Sequence, residues 1–160
     1  MRFLAFFIII LSTSVYAQNY SNSHWGDTPE QVKKNEKNFH FLREEALDRN
    51  LKGLTFIEDR PDGTYFLHTF MFLNMKLYGV KTKKVYLDGD NSLFKGLNDY
   101  NQKLQAYKEN FKDLVEEKVQ DINYDLKGFH IKTNQTTLYV SLKKEEDNYF
   151  IIETTFQNLN

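Results

Sequence analysis

The stretch from Leu93 to Val115 constrains the fold most, because its apolar residues keep a fixed helical spacing. They recur at alternating steps of four and three residues, at Leu93, Leu97, Tyr100, Leu104, Tyr107, Phe111 and Leu114. This spacing places all of them on one stripe of an α-helix, with polar residues on the other side. The sequence therefore predicts a long amphipathic helix over about residues 92–118. Tyrosine within the stripe and strand-like runs on both sides favour packing on a sheet over a coiled coil.

A second, shorter helix is predicted over about residues 28–37. Thr28 is a favourable N-cap, Pro29 takes the first helical position, and Gln31 completes a capping box. These features mark a helix start whatever the rest of the chain does. The segment that follows, residues 38–53, fits a helix and a strand equally well, and its structure stays open at this point.

Apolar runs bounded by turn residues predict about six strands, three before the long helix and three after it. Their expected ranges are 54–57, 64–72, 76–86, 129–133, 137–143 and 149–156. The connections are short, so sequential antiparallel pairing is expected. The predicted fold class is α+β, an antiparallel sheet of about six strands packed against the long helix. The order of elements suggests two halves, each a helix followed by a meander.

Residues 1–17 have the three-part layout of a secretory signal peptide. A basic start at Arg2 is followed by a nine-residue apolar run from Phe3 and a small, polar end at Ala17. The run is far shorter than the roughly 20 residues of a membrane-spanning helix. The mature protein is therefore predicted to be secreted or periplasmic. The predicted organisation is a cleaved signal peptide over 1–17, a flexible lead-in over 18–24 and a single domain over 25–160.

Charge balance and the lack of cysteine exclude several function classes. The chain has 21 Lys and Arg against 22 Asp and Glu, a net charge of −1. That balance gives no overall attraction to nucleic acid or to an anionic membrane. Without cysteine there are no disulfides, no thiol catalysis and no cysteine-ligated zinc. We expect no nucleic-acid partner and no transmembrane segment after signal cleavage.

The motifs of catalysis and metal binding are missing from the sequence. The spacing of the four histidines, at positions 24, 40, 68 and 130, matches no zinc-binding helix. Asp88 and Asp90 resemble the start of a calcium-binding loop, but Leu93 stands where such a loop needs glycine, and a turn explains them better. The sequence has neither a Gly-x-Ser-x-Gly elbow nor a glycine-rich phosphate loop. We expect no metal, no cofactor and no catalytic residue, and hence no enzyme.

Aromatic residues form 16% of the chain and concentrate in the predicted hairpin over 64–86. A strand that is apolar on both faces is usually covered on both. One face of this hairpin is expected to meet the long helix, and the other needs the first helix, a partner protein or a ligand. The candidate ligand or partner surface consists of Tyr65, Phe66, His68, Phe70, Phe72, Tyr78 and Tyr86.

The start of the predicted domain resembles a known family pattern. Residues Trp25 to Val32, Trp-Gly-Asp-Thr-x-x-x-Val, are similar to the W-G-x-S/T-x-x-x-V opening of small exported bacterial α+β proteins of uncharacterised function. The run from Tyr65 to Val80 is similar to the first hairpin of those proteins. More distantly, the layout resembles the helix-plus-meander modules of outer-membrane assembly lipoproteins and β-lactamase-inhibitor-like proteins. This resemblance implies a scaffold and an exported location, and it transfers no catalytic residue.

Three functions are compatible with these features. The leading one is a non-enzymatic protein-binding or structural module of the cell envelope, which an exposed apolar sheet face or edge would support. The alternative is a carrier of a small apolar ligand, which needs an aromatic-lined pocket between sheet and helix. The third is a hydrolase, which needs a cleft that brings His68 or His130 together with carboxylates.

Overall fold

The computed structural model describes residues 22–86, 92–111, 114–117, 125–145 and 148–158. The predicted signal peptide and most of the predicted lead-in lie outside the described residues. So do the predicted turn at 88–91 and most of the polar connection that follows the long helix.

The described residues form two helices and eight strands. The elements are α1 (Pro29–Asn35), β1 (His40–Asp48), β2 (Leu51–Asp59), β3 (Thr64–Leu73), β4 (Lys76–Tyr86), α2 (Ser92–Asn110), β5 (Val115–Glu117), β6 (Asp125–Lys132), β7 (Thr136–Glu145) and β8 (Asn148–Gln157). All eight strands join one antiparallel sheet in the order β1-β2-β3-β4-β8-β7-β6-β5.

The sheet consists of two four-stranded meanders that meet in its middle. The first half of the molecule is α1 with β1–β4, and the second half is α2 with β5–β8. Each half runs from a strand at the sheet edge to a strand at the centre, so the halves meet where β4 pairs with β8. We call this pairing, from Gly79–Phe156 to Val85–Phe150, the joint. The element order contains the two helix-plus-meander halves that the sequence suggested.

The first helix begins as its capping signals predict. The Gln31 N–H donates to the Thr28 hydroxyl, and the Thr28 N–H donates to the Gln31 side chain. Gly26 has a φ of +86°, a conformation that suits glycine, and its N–H donates to the Leu77 carbonyl. The loop before α1 is thereby fixed to β4, which places the helix over the first half of the sheet.

Local turn chemistry also sets the hairpin between β3 and β4. Asn74 and Met75 have φ angles of +49° and +63°, as the central residues of a tight two-residue hairpin require. The turn lies where the sequence predicts it. Register along this hairpin then fixes which side chains share each face of the sheet.

Both helices pack on the same face of the sheet, over two separate apolar cores. The first core joins α1 to the first half and contains Val32, Leu54, Phe56, Phe70, Phe72 and Leu77. The second core joins α2 to the sheet and contains Tyr86, Tyr100, Phe129, Ile131, Val140, Leu142 and Ile151. Cross-strand partners share a face, so the registers assign both cores to one side, which we call the helix-covered face. The opposite side carries neither described helix, and we call it the helix-free face.

The predicted fold class is wrong. The architecture is an eight-stranded antiparallel sheet with two helices, whereas the sequence suggested about six strands organised around one long helix. The long helix packs mainly on the second half, and the first half has its own core. The heptad pattern suggested that this helix organises the whole sheet. Such a pattern shows which helix residues are apolar, but not how much of the sheet they cover.

The two missed strands are the edge strands β1 and β5. β1 lies within residues 38–53, where the sequence left the structure open, and nearly all its residues are exposed. β5 lies where the sequence predicted the end of the long helix, which instead ends at Asn110. Phe111 and Leu114 still pack on the second core from beyond the helix, so the apolar repeat continues after the helix has ended. An edge strand buries little of either face, and its sequence therefore lacks a clear alternation.

Candidate functional site

A polar pocket lies on the helix-covered face, between the two apolar cores. Its volume is about 330 Å³, and we call it the joint pocket. β3, β4 and β8 supply part of the lining, and α2 supplies the rest. The lining residues are Phe66, Thr82, Lys84, Asp99, Gln102, Lys103, Ile151 and Glu153. The pocket therefore spans the joint and includes residues from both halves.

Two ion pairs connect the α2 side of the joint pocket to its sheet side. Lys84 of β4 pairs with Asp99 of α2, and Lys103 of α2 pairs with Glu153 of β8. The Tyr86 hydroxyl donates to the same Asp99 oxygen, Oδ2, at 2.6 Å. Burial alone would raise the pKa of Asp99, but the hydrogen bonds from Lys84 and Tyr86 outweigh it and hold that pKa below its usual range. The carboxylate is therefore charged at neutral pH.

A chain of hydrogen bonds reaches the pocket from the first half. Arg60 Nη2 contacts Glu58 Oε1 at 2.6 Å, and the other oxygen of Glu58 lies 3.1 Å from His68 Nε2. His68 Nδ1 lies 3.2 Å from the hydroxyl of Thr82, which lines the pocket. The rings of Phe39 and Phe66 stack on His68 at centroid distances of 4.4 and 6.0 Å. His68 is consequently only 1% exposed.

Burial determines the protonation of His68. It lowers the pKa of the imidazole, and Glu58 opposes that effect only in part. The ring is therefore neutral at neutral pH, with one N–H. Because the Glu58 carboxylate only accepts, the proton lies on Nε2, and Nδ1 accepts from the Thr82 hydroxyl. Thr82 then presents its remaining oxygen lone pairs as acceptors.

The order Thr82, His68, Glu58 has the nucleophile, base and acid types of a hydrolytic triad. The imidazole, however, is enclosed by Phe39 and Phe66, with both nitrogens engaged. A general base must accept a proton and later deliver it to a leaving group. An imidazole with 1% exposure in this enclosure is poorly placed for that second step. The arrangement favours a fixed hydrogen-bonding role for Thr82.

A row of four rings crosses the helix-free face. Tyr78 of β4 stacks on Phe156 of β8 at 5.6 Å, and Phe156 contacts Tyr139 of β7 at 6.2 Å. Tyr139 in turn contacts His130 of β6 at 5.7 Å. We call these four residues the ring row. Tyr139 is 44% exposed, and Val115 at the neighbouring edge is 48% exposed.

Three of the predicted surface residues lie at these two places. Phe66 lines the joint pocket, and His68 lies directly behind it. Tyr78 belongs to the ring row on the opposite face. The predicted surface is thus divided between the two sides of the sheet.

The other four predicted residues line neither place, although the Tyr86 hydroxyl donates to Asp99 of the joint pocket. Phe70 and Phe72 are fully buried in the first core, and Tyr86 is buried in the second. Tyr65 is half-buried on the helix-free face, opposite Val85. Phe70 and Phe72 are core residues because α1 and the loop before it cover that part of β3.

Sequence reasoning missed the residues that other elements bring to these places. Asp99, Gln102 and Lys103 belong to the polar side of a helix, which gives no sign that it borders a pocket. Of Tyr139 and Phe156, only Tyr139 could have been identified from the sequence, because it is an outward-facing aromatic residue in a cleanly alternating strand. Only the register of β7 with β8 brings their rings together.

The described residues contain neither a metal-binding cluster nor a membrane-spanning helix. Within those ranges, no three or more His, Asp or Glu side chains gather as they would around a metal ion. Neither described helix has the length and apolar character that crossing a membrane requires.

Comparison with known proteins gives no further assignment. No family model, no curated protein and no solved structure matches this chain.

Proposed function

We propose that this protein is an exported cell-envelope protein that acts without catalysis, by binding another protein through the ring row. The observation that carries the proposal is the continuous row of four rings across β4, β8, β7 and β6 on the face without a described helix. Export rests on the signal-peptide layout of residues 1–17.

The chemistry of the ring row suits a protein partner. Aromatic residues are enriched at the centres of protein interfaces, where they bury a large area and lose little side-chain entropy. Tyr139 also keeps a hydroxyl that can hydrogen-bond to a partner while its ring packs. The ring contacts hold each side chain in place before binding, which lowers the entropic cost of association.

The edge strand β1 is a weaker candidate for the interface. It exposes Phe41, Leu42 and Leu47. Its pairing with β2 is interrupted by two irregularities, and charged side chains follow one another in its middle. Both features oppose the addition of a further strand. The proposal therefore assigns the partner to the face of the sheet and not to its edge.

The alternative function, a carrier of a small apolar ligand, has less support. Such a carrier needs an apolar cavity, and four charged side chains line the joint pocket. Phe70 and Phe72, which could have lined such a cavity, lie in the first core. Hydrolysis has less support as well, because His68 is enclosed by aromatic rings.

Site-specific photo-crosslinking in the producing cell tests the proposed interface. A photoreactive phenylalanine analogue replaces Tyr139 in one variant and Phe94 in a matched control. Both positions are exposed aromatics, but Phe94 is on α2, which packs on the opposite face. We expect a discrete protein adduct from position 139 and none from position 94.

A second variant tests whether the ring row contributes to affinity. Tyr139→Ala in the purified protein should weaken binding to the crosslinked partner by about tenfold or more, because it removes an interface aromatic. Phe94→Ala should leave the affinity unchanged. The proposal is wrong if position 139 yields no protein adduct, or if both alanine variants bind the partner as the wild type does.

A further inference from the structure

We propose that the joint pocket binds one ring of a neutral sugar or a polyol of similar size. The proposal is independent of the protein-binding function, because the pocket and the ring row lie on opposite faces of the sheet. It rests on three properties of the lining: fixed polar groups, balanced charge and an apolar floor.

Two polar groups of the pocket, Thr82 and Asp99, are held in place by neighbouring side chains. Thr82 is held by His68, which is held by Glu58. On the other side, Asp99 is held by Lys84 and Tyr86. Side chains locked in this way need little reordering when a ligand arrives, which is how binding sites are built. Enclosing the His68 imidazole in such a network is costly for the fold, and binding gives the network a use.

Attachment of α2 to the sheet explains the ion pairs of Asp99 and Lys103 but not the chain that leads from Arg60 to Thr82. The helix already packs on the second core through the apolar stripe that includes Tyr100. The chain from Arg60 through Glu58 to His68 lies within β2 and β3 and in the loop between them, and it includes no helix residue. What it does fix is the Thr82 hydroxyl at the wall of the pocket.

The charges of the lining balance. Lys84 and Lys103 are matched by Asp99 and Glu153, and each lysine pairs with one of the carboxylates. A charged ligand would have to disrupt one of these pairs and would leave its former partner without a counterion. A neutral ligand can accept hydrogen bonds from the ammonium groups and donate to the carboxylates while both pairs remain.

The arrangement of donors and acceptors selects for hydroxyl groups. Lys84 and Lys103 donate, Asp99 and Glu153 accept, and Gln102 does both. A hydroxyl can also do both, so adjacent hydroxyls on one ring can bond to a lining that contains donors and acceptors.

The apolar part of the lining and the volume favour a sugar ring. Phe66 and Ile151 supply apolar surface for the C–H face of the ring. The volume of about 330 Å³ is near the lower end of the range of small-molecule sites, roughly 300–1,000 Å³. A single ring, free or at the end of a chain, fits this size better than a longer ligand.

Titration of the isotope-labelled protein with defined sugars, followed by NMR, tests the proposal. The neutral panel is glucose, galactose, mannose and N-acetylglucosamine, and the charged panel is glucosamine and glucuronic acid. We expect at least one neutral sugar to shift the amide signals of Thr82 and Gln102 at millimolar concentration, more strongly than either charged sugar. Because the ligand is neutral, added salt should not weaken binding.

Two glutamines of α2 provide a matched pair of variants. Both are exposed, but Gln102→Leu removes a lining group, whereas Gln105→Leu changes a residue that hydrogen-bonds to Glu109 outside the pocket. We expect Gln102→Leu to weaken sugar binding by about tenfold and Gln105→Leu to leave it unchanged. Any one of three results would overturn the proposal: no neutral sugar shifts these signals, a charged sugar binds more tightly, or the two variants behave alike.

Discussion

The two halves of the molecule have the same order of elements but cover the sheet in different ways. The first half has a helix of 7 residues and an edge strand of 9, whereas the second has a helix of 19 residues and an edge strand of 3. The short helix of the first half covers the phenylalanines of β2 and β3 together with Trp25 and Phe39. In the second half, the long helix covers most of the core, and Phe111 and Leu114 pack on it from beyond the helix end.

The joint pocket lies between the cores that the two helices cover. Both candidate surfaces cross the joint and take residues from both halves. The ring row takes Tyr78 from the first half and its other members from the second. In the joint pocket, Thr82 comes from the first half and Asp99 from the second. Neither half alone contains a complete site, so both candidate sites depend on the joint.

The largest effect should come from removing one core phenylalanine in each half. Phe70→Ala and Phe129→Ala should each lower the free energy of unfolding by about 3–5 kcal/mol, because both side chains are fully buried. Urea unfolding can be followed by the fluorescence of Trp25, the only tryptophan, and by the helix signal in circular dichroism, which comes mostly from α2. If the joint couples the halves, both signals change together in both variants.

The opposite result would separate the halves. Phe129→Ala would then shift only the helix signal to lower urea, and the Trp25 transition would stay at its wild-type position. That outcome would contradict a single cooperative sheet.

A smaller effect is expected at the joint itself. A Cβ at Gly79 would lie 2.8 Å from Met71 Cε and 2.8 Å from Phe156 Cδ1. Gly79→Ala should therefore displace the Phe156 ring and cost about 1–3 kcal/mol of stability, measured by urea unfolding. Gly53→Ala in β2 is the matched control, since its nearest contact would be Leu47 Cδ1 at 3.3 Å. Equal losses in the two variants would mean that the ring row is not tightly packed.

The stability of the protein should depend on pH through His68. Burial lowers the pKa of His68 in the folded state, whereas the unfolded chain takes up a proton near pH 6.5. Unfolding therefore binds a proton below about pH 6.5, and the free energy of unfolding should fall as pH drops, by up to about 1.4 kcal/mol per pH unit. His68→Gln should remove this part of the slope, as thermal or urea unfolding between pH 5 and 7 would measure.

Identical slopes in the wild type and His68→Gln would show that folding does not lower the pKa of His68. The enclosure of a neutral imidazole behind Thr82 would then be contradicted. Titrating groups that do not contact His68 are common to both proteins, so their contributions cancel in the comparison.

Local signals predicted the local structures well. The capping box places the start of α1, and the turn at Asn74 and Met75 places the β3–β4 hairpin. β4 has the predicted bounds, residues 76–86. These features depend on a few adjacent residues, so their physics is contained in short segments of the sequence.

The edges, the fold class and the candidate sites depend on partners distant in sequence. β1 is exposed on both faces, so it has no buried alternation to read. The end of α2 was placed too late because Phe111 and Leu114 continue the apolar repeat and also pack on the core. Phe66 and Tyr78 are close in sequence, yet they lie on opposite faces beside residues of the second half. The register of β4 with β8 alone determines which residues of the second half lie beside Phe66 and Tyr78.

The pairing of β4 with β8 is therefore the central claim, and the cysteine-free chain allows a direct test. Lys81 and Thr154 are register partners, so Lys81→Cys with Thr154→Cys should form a disulfide within one molecule on mild oxidation. In the control, Lys81→Cys with Thr155→Cys, the second cysteine points to the opposite face and should stay unpaired. A disulfide in the first variant alone supports the joint. Disulfide formation in the control, or in neither variant, would contradict it.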